Sequence, residues 1–216
     1  MKTPKTLLLT AALAATLGSA NLYANPSSDI LANYNLAADG DEALVDTVYG
    51  QLNRLLEEQG AKPLTMVYLG STQTLQGRDA FLPWNKMKFT EQGLATIAKG
   101  ISLLNTLPED VNQQERIQGL PEAHLAQAMA AITYTSLPDM FNHFERGYDL
   151  YLNLLNDPSF AHQPFAASAW VYSSGISAAL KAGDISQAQA WLSTMQTLDP
   201  SNVQTQTAQK LIAKQG

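Results

Sequence analysis

The amino-acid sequence predicts an all-α protein made of stacked antiparallel helix hairpins. Apolar residues recur at intervals of three and four, as at Val45, Val48 and Leu52, and this spacing is typical of one helix face. Strand-like alternation is missing from the sequence, and Asp39-Gly40 lies between two helical patterns instead of two strands. Short connections separate the helical segments, which favours antiparallel neighbours. We expect a superhelical α-solenoid, because a single hairpin cannot bury its own apolar face.

Glycine and proline residues divide the chain into nine predicted helices. Ser27 or Ser28 is expected to cap the first helix, and Pro63 and Pro121 begin two others, since proline is favoured in a first turn. The polar segment 108–119 is expected to hold one further short helix, at residues 111–118. The nine helices are expected at residues 29–38, 41–59, 63–77, 86–104, 121–136, 141–155, 164–182, 185–198 and 202–214.

Composition excludes several functional classes. The 216 residues carry a formal net charge of −6 and contain no run of basic residues, which argues against nucleic acid and anionic lipid as partners. The chain has no cysteine, so disulfides, thiolate metal sites, a cysteine nucleophile and a lipid-modified N-terminal cysteine are all excluded. With 45 % apolar residues, the chain can stabilise one domain by core packing alone.

The first 24 residues have the layout of a secretory signal peptide. Lys2 and Lys5 precede an uncharged apolar run at residues 7–17, which is shorter than the roughly 20 residues needed to span a bilayer. Small residues follow, and we expect cleavage after Ala24, with cleavage after Ala20 as the alternative. A twin-arginine pair is missing, which favours the general secretion route. The sequence therefore predicts a periplasmic protein whose mature part, residues 25–216, is a single helical domain.

A repeat-like pattern occupies residues 170–200. Gly183 falls at the turn between two helices, Ala188 where the two helices cross, and Pro200 where the second helix ends. Glycine permits the turn, alanine permits close approach, and proline cannot continue a helix. This order resembles a tetratricopeptide repeat.

A second, partial copy of this pattern lies at residues 68–77. There Gly70 follows a leucine, and Gly77 is expected to end the helix. Imperfect copies at irregular spacing indicate a diverged array of repeats.

Two longer strings resemble a family of uncharacterised, exported bacterial proteins with tetratricopeptide-like repeats. They are YLGSTQTLQGRDAFLPWNKMKFTEQGLATIAKGISLL at residues 68–104 and TYTSLPDMFNHFERGYDLYLNLL at residues 133–155. The resemblance covers roughly residues 36–198 and implies a tetratricopeptide-like helical fold. The segment 108–121 departs from the family, which has a shorter connection and an arginine-rich helix there.

The connector at residues 78–87 and the turn that contains Phe141 are the most site-like parts of the sequence. Arg78, Asp79, Trp84 and Lys86 combine charge with an aromatic ring, and arginine and tryptophan are favoured anchors in protein interfaces. A structural interpretation stays open, in which Asp79 caps the turn, Arg78 pairs with a carboxylate and Trp84 fills the hairpin core. Phe141 is either the lip of a binding groove or part of a packed turn.

The sequence offers no catalytic or metal-binding motif. His124, His143 and His162 have no second histidine three or four residues away, so we expect no metal site and no cofactor. A G-x-S-x-G nucleophile motif is also missing.

We therefore expect an adaptor or scaffold in the cell envelope that binds a protein or peptide partner and is not an enzyme. Two alternatives remain: a carrier of small molecules or lipids with an enclosed apolar pocket, and an enzyme with an unrecognised pair of carboxylates. A homo-oligomer also stays open.

Overall fold

The computed structural model describes residues 25–214, so the predicted signal peptide lies outside the described residues. Within them, ten helices and one short hairpin of strands confirm the all-α prediction. Three 3₁₀ turns, Leu104–Thr106, Val111–Gln113 and Asp139–Phe141, lie in the connections. The helices are α1 (Ser28–Ala38), α2 (Glu42–Gln59), α3 (Pro63–Asp79), α4 (Pro83–Ser102), α5 (Glu122–Ser136), α6 (Phe144–Leu155), α7 (Pro158–Ala161), α8 (Phe165–Ala182), α9 (Ile185–Leu198) and α10 (Val203–Ala213). The strands are β1 (Arg116–Ile117) and β2 (Leu120–Pro121).

The helices stack as consecutive hairpins. The pairs are α1 with α2, α3 with α4, α5 with α6, and α8 with α9. The first helix of each pair packs on the first helix of the next, so that α1, α3, α5, α8 and α10 form one continuous row. The second helix of each pair packs on both its own partner and the first helix of the following pair. This arrangement confirms the predicted stacking of antiparallel helix hairpins.

Helices α3 and α5 form the centre of the molecule. Almost every residue of both helices is covered, and only Arg78 in α3 and Ser136 in α5 are exposed. Tyr68 and Tyr134 are fully buried here, and the ring of Tyr68 packs edge-on against Tyr34 of α1 with 4.8 Å between centroids. These two helices therefore leave no open face along which a peptide could lie.

The predicted end of α3 at Gly77 is wrong, because the helix continues for two more residues, to Asp79. Gly77 has an ordinary helical backbone, and its missing side chain makes room for Thr90 of α4. The fourth helix also begins earlier than predicted, at Pro83. Leu82, directly before Pro83, is extended, as residues that precede proline usually are.

The short helix predicted at residues 111–118 is also wrong beyond its first turn. Residues 116–121 form an antiparallel hairpin in which Ile117 pairs with Leu120. Gln118 and Gly119 connect the strands with φ angles of 52° and 83°, as a type I′ turn requires. Burial of Ile117 and Leu120 fixes this hairpin to the core.

The repeat-like pattern at residues 170–200 gives the expected helix boundaries. Gly183 ends α8 in the left-handed region, with φ 76°, and the N–H of Asp184 reaches back to the carbonyl of Ala179. Ala188 is fully buried in α9, which ends at Leu198, two residues before Pro200.

Within residues 25–214, no helix is both long enough and apolar enough to cross a bilayer.

Candidate partner-binding site

Arg78 ties the end of α3 to the end of α1. Its Nη1 and Nη2 atoms donate to the carbonyl oxygens of Ala38 (3.1 Å) and Ala37 (3.0 Å), in the last turn of α1. The carbonyl of Ala37 also accepts from the backbone N–H of Gly40 at 3.2 Å, so the guanidinium adds donors at a helix end whose last carbonyls are not paired within the helix. Asp79 accepts from Nε at 2.6 Å and from Nη2 at 2.9 Å, which orients the guanidinium plane and raises the pKa of Arg78.

The beginning of α4 is held against the same end of α3. Lys86 donates from Nζ to the carbonyl oxygen of Arg78 at 2.8 Å, which satisfies a carbonyl in the last turn of α3. Gly77 allows this approach, because a Cβ atom at Gly77 would clash with Oγ1 of Thr90. The connection from Ala80 to Leu82 is therefore fixed at both ends. We call residues 78–86 the clamped turn.

The clamped turn presents two aromatic side chains to solvent. Phe81 is 93 % exposed and Trp84 is 65 % exposed, although both are large and apolar. Leu36 is also exposed and belongs to the last turn of α1, which Arg78 contacts. Single exposed apolar residues are common, but two aromatic residues on one rigid turn resemble the anchors of protein interfaces.

The two interpretations of the connector therefore apply to different residues. Arg78, Asp79 and Lys86 make the structural contacts, whereas Trp84 does not fill the hairpin core. The sequence does not single out Phe81, because this residue belongs to no helical apolar stripe.

The turn before α6 places Phe141 differently from the clamped turn. Phe141 is half-buried against the core, and its carbonyl oxygen lies 2.6 Å from Nδ1 of His143. Its neighbour Met140 is the exposed apolar residue of this turn. Asp139 forms an ion pair with Lys181 of α8 at 3.0 Å. This geometry puts Phe141 among the packing contacts and does not bring it to the clamped turn.

A pair of carboxylates meets at the other end of α5. The side-chain Nδ2 of Asn25 donates to Oε2 of Glu115 at 2.8 Å and to Oε2 of Glu122 at 2.9 Å. Asn25 and Glu122 are both buried. The amide of Asn25 fills the space between the two carboxylates, where a glycosidase would need to hold its substrate.

His124 and Ser159 form a further polar contact, which no sequence motif predicts. Nε2 of His124 lies 3.1 Å from Oγ of Ser159, which resembles a nucleophile with its base. Asp157 accepts from the backbone N–H of Ser159 at 2.7 Å, and Nδ1 of His124 has no partner among the described residues. The third group that would orient the imidazole is therefore missing from this contact. Burial lowers the pKa of His124, which favours its neutral form.

Two clefts of about 450 Å³ and about 420 Å³ flank the segment 108–116. Their walls carry many polar side chains, including Asn112, Arg116, Gln163 and Asp157. They differ from the enclosed apolar pocket that a lipid carrier would need. Within the described part of the chain, no group of three or more His, Asp or Glu side chains is arranged to hold a metal ion.

Comparison with known proteins found no match for this chain among family models, curated proteins or solved structures.

Proposed function

We propose that the chain is an exported, periplasmic adaptor or scaffold with tetratricopeptide-like hairpins, and that it binds a protein or peptide partner through the clamped turn. The observation that carries the proposal is the exposure of Phe81 and Trp84 on a connection that Arg78 and Lys86 hold rigid. Rigid aromatic anchors lose little conformational entropy when a partner covers them, so they favour binding.

The partner that best fits this turn is a protein surface with an apolar pocket or groove. Two aromatic side chains separated by three positions fill such a pocket and bury a large apolar area. The net charge of −6 disfavours nucleic acid and anionic membranes as the occupant. Because the faces of α3 and α5 are covered, we propose a site at a turn between helix ends and not along the helix faces.

The alternatives receive less support. The polar walls of the two clefts do not favour a carrier of apolar molecules. The carboxylate pair of Glu115 and Glu122 is occupied by Asn25, which does not favour a glycosidase-like enzyme. Ser159 and His124 lack an orienting carboxylate, which does not favour nucleophilic catalysis.

Site-specific photocrosslinking in cells of the source organism tests the proposal. A photoreactive phenylalanine analogue replaces Phe81 or Trp84, and a third variant carries it at Val203, which is 70 % exposed at the start of α10. We expect adducts of one defined mass from positions 81 and 84 and none of that mass from position 203. Identical adducts from all three positions, or none from positions 81 and 84, would contradict the proposal.

A further inference from the structure

Asn25 is buried against residues that lie far away in the sequence. The residue is 6 % exposed, and its two carboxylate partners, Glu115 and Glu122, follow 90 and 97 residues later. A residue directly after the predicted cleavage position is thus part of the folded core.

Glu122 is a buried carboxylate without a cationic partner in the described structure. The residue is 4 % exposed, and its Oε1 atom has no hydrogen-bond partner among residues 25–214. The ion pairs within the same residues join Arg78 to Asp79 and Lys181 to Asp139. The nearby cation Arg116 instead donates to Gly119 and Gln163. A buried carboxylate in this position requires compensation by a positive charge or by further hydrogen bonds.

Asn25 also has a buried acceptor atom without a hydrogen-bond partner within residues 25–214. Its Oδ1 atom is buried and has no partner among the described residues, although its Nδ2 atom bridges both carboxylates. The cluster of Asn25, Glu115 and Glu122 therefore has two acceptor atoms for which no donor is present among the described residues.

We propose that signal peptidase cleaves after Ala24 and that the new α-amino group of Asn25 forms an ion pair with the buried Glu122 and with Glu115, which is exposed. Water hydrolyses the Ala24–Asn25 peptide bond, so that Ala24 leaves with the carboxylate and Asn25 keeps a protonated amine. Only the Cα, Cβ and Cγ atoms separate this nitrogen from Nδ2, so the ammonium forms within one side-chain length of both carboxylates. It supplies three donors to a cluster that lacks them.

This pairing couples processing to stability. In the precursor, the same nitrogen belongs to a neutral amide with one donor and carries no positive charge. The mature chain is therefore more stable than any form that carries extra residues before Asn25. The inference rests on the proposed export, and it selects Ala24 over Ala20, because cleavage after Ala20 would leave the amine four residues from Asn25.

The first experiment measures the intact mass of the full-length chain after secretion into the periplasm. We expect a chain that begins at Asn25. Cleavage after Ala20 would overturn the ion pair but leave the proposed export intact, whereas an unprocessed chain would overturn both. The photocrosslinking experiment does not depend on where the signal peptide is cleaved. It therefore tests the partner proposal independently of the ion pair.

The second experiment is a double-mutant cycle on the processed chain, residues 25–216, released from a cleavable N-terminal fusion. One change adds a single alanine before Asn25, the other is Glu122→Gln, and Glu57→Gln on the exposed face of α2 is the matched control. We expect each of the first two changes to lower the urea midpoint of unfolding, and the added alanine to have little further effect once Glu122 is glutamine. Additive losses, or no loss from the added alanine, would overturn the ion pair.

A spectroscopic measurement separates an ion pair from mere packing. In chains labelled with ¹⁵N at Asn25, we expect the pKa of the α-amino group to lie above its ordinary value of about 7.7–8.0 and to return toward it in Glu122→Gln. Glu115 also faces this group, with Arg116 and His124 as the neighbouring titratable residues along the chain. An α-amino pKa at its ordinary value in the processed chain would contradict the proposal.

Discussion

A Cβ atom placed on Gly70 would lie 2.5 Å from the carbonyl oxygen of Gly93, and one placed on Gly93 would lie 2.5 Å from the carbonyl oxygen of Gly70. The backbones of α3 and α4 are thus in direct contact. Gly77 and Gly100 follow seven residues later in each helix, which is about two turns and returns to the same face. A stripe of glycines on each helix therefore allows the close approach that holds the clamped turn.

We expect Gly93→Ala to destabilise the protein by about 1–3 kcal/mol, because overpacking a tight contact forces the helices apart. Denaturant unfolding followed by circular dichroism measures the loss. Gly50→Ala is the matched control, since Gly50 lies in α2 and a Cβ there meets nothing within 4 Å. That control is expected to stabilise the chain by roughly 0.5–1 kcal/mol through helix propensity. Equal effects of the two substitutions would contradict direct backbone contact between α3 and α4.

The contacts of Arg78 in the clamped turn predict that substitutions of two arginines affect stability differently. Arg78→Met is expected to reduce the free energy of unfolding by about 1 kcal/mol, because charged hydrogen bonds contribute less at a partly exposed site than in the interior. Arg54→Met is the control, since Arg54 is exposed on α2 and its side chain makes no hydrogen bond within the described residues. Urea unfolding of both variants checks the difference. A loss of the same size for Arg54 would mean that the clamp adds no stability.

The exposed aromatic residues are expected to matter for binding and not for folding. Trp84→Gln and Phe81→Gln should change the free energy of unfolding by no more than about 0.5 kcal/mol, because neither side chain is buried in the core. Thermal unfolding of the purified variants measures this. A drop of several kcal/mol would show that these rings support the hairpin, and it would remove them as partner anchors.

The sequence predicted the helices well because their apolar residues recur with the period of a helix. The predicted helix ends are wrong where one residue type has two structural roles. Gly183 ends a helix with a left-handed backbone, whereas Gly77 lies inside a helix and makes room for a neighbour. Both uses depend on the missing side chain, so the sequence alone does not separate them. The helix predicted at residues 111–118 is wrong for a related reason. Gln118 and Gly119 form a hairpin turn without the usual Asn-Gly or Asp-Gly pair, so the sequence does not signal it.

The sequence indicates part of the candidate site, whose binding role stays a prediction. Residue type and a position between two helices single out Arg78, Asp79, Trp84 and Lys86. The role of Arg78 depends on its contacts with α1, some 40 residues earlier in the sequence. No local pattern reveals such contacts. The burial of Glu122 beside Asn25 has the same origin, because the partners lie 97 residues apart.

The turn between α8 and α9 allows a backbone test. Gly183 has φ 76°, and a Cβ there would meet open space, so any penalty comes from the backbone conformation. We expect Gly183→Ala to cost about 1–2 kcal/mol and Gly183→Asn to cost less, because asparagine visits the left-handed region more readily. Denaturant unfolding of the pair checks this order. Equal stability of the alanine and asparagine variants would contradict a left-handed residue at this turn.

Burial of His124 predicts a loss of stability in mild acid. Burial lowers the pKa of His124 in the folded chain; Asp157 opposes this shift, and Arg116 adds to it. The unfolded chain, with an ordinary histidine pKa of about 6.5, therefore takes up the proton first as the pH falls. The stabilising contribution is complete above pH 6.5 and is lost as the pH falls from there toward the lower pKa of the folded state. Unfolding experiments at pH 7 and pH 5 should show a smaller acid-induced loss for His124→Gln than for the unmodified chain. The same substitution at the exposed His162 is the control, and an equal change in both variants would mean that burial of His124 does not cause the loss.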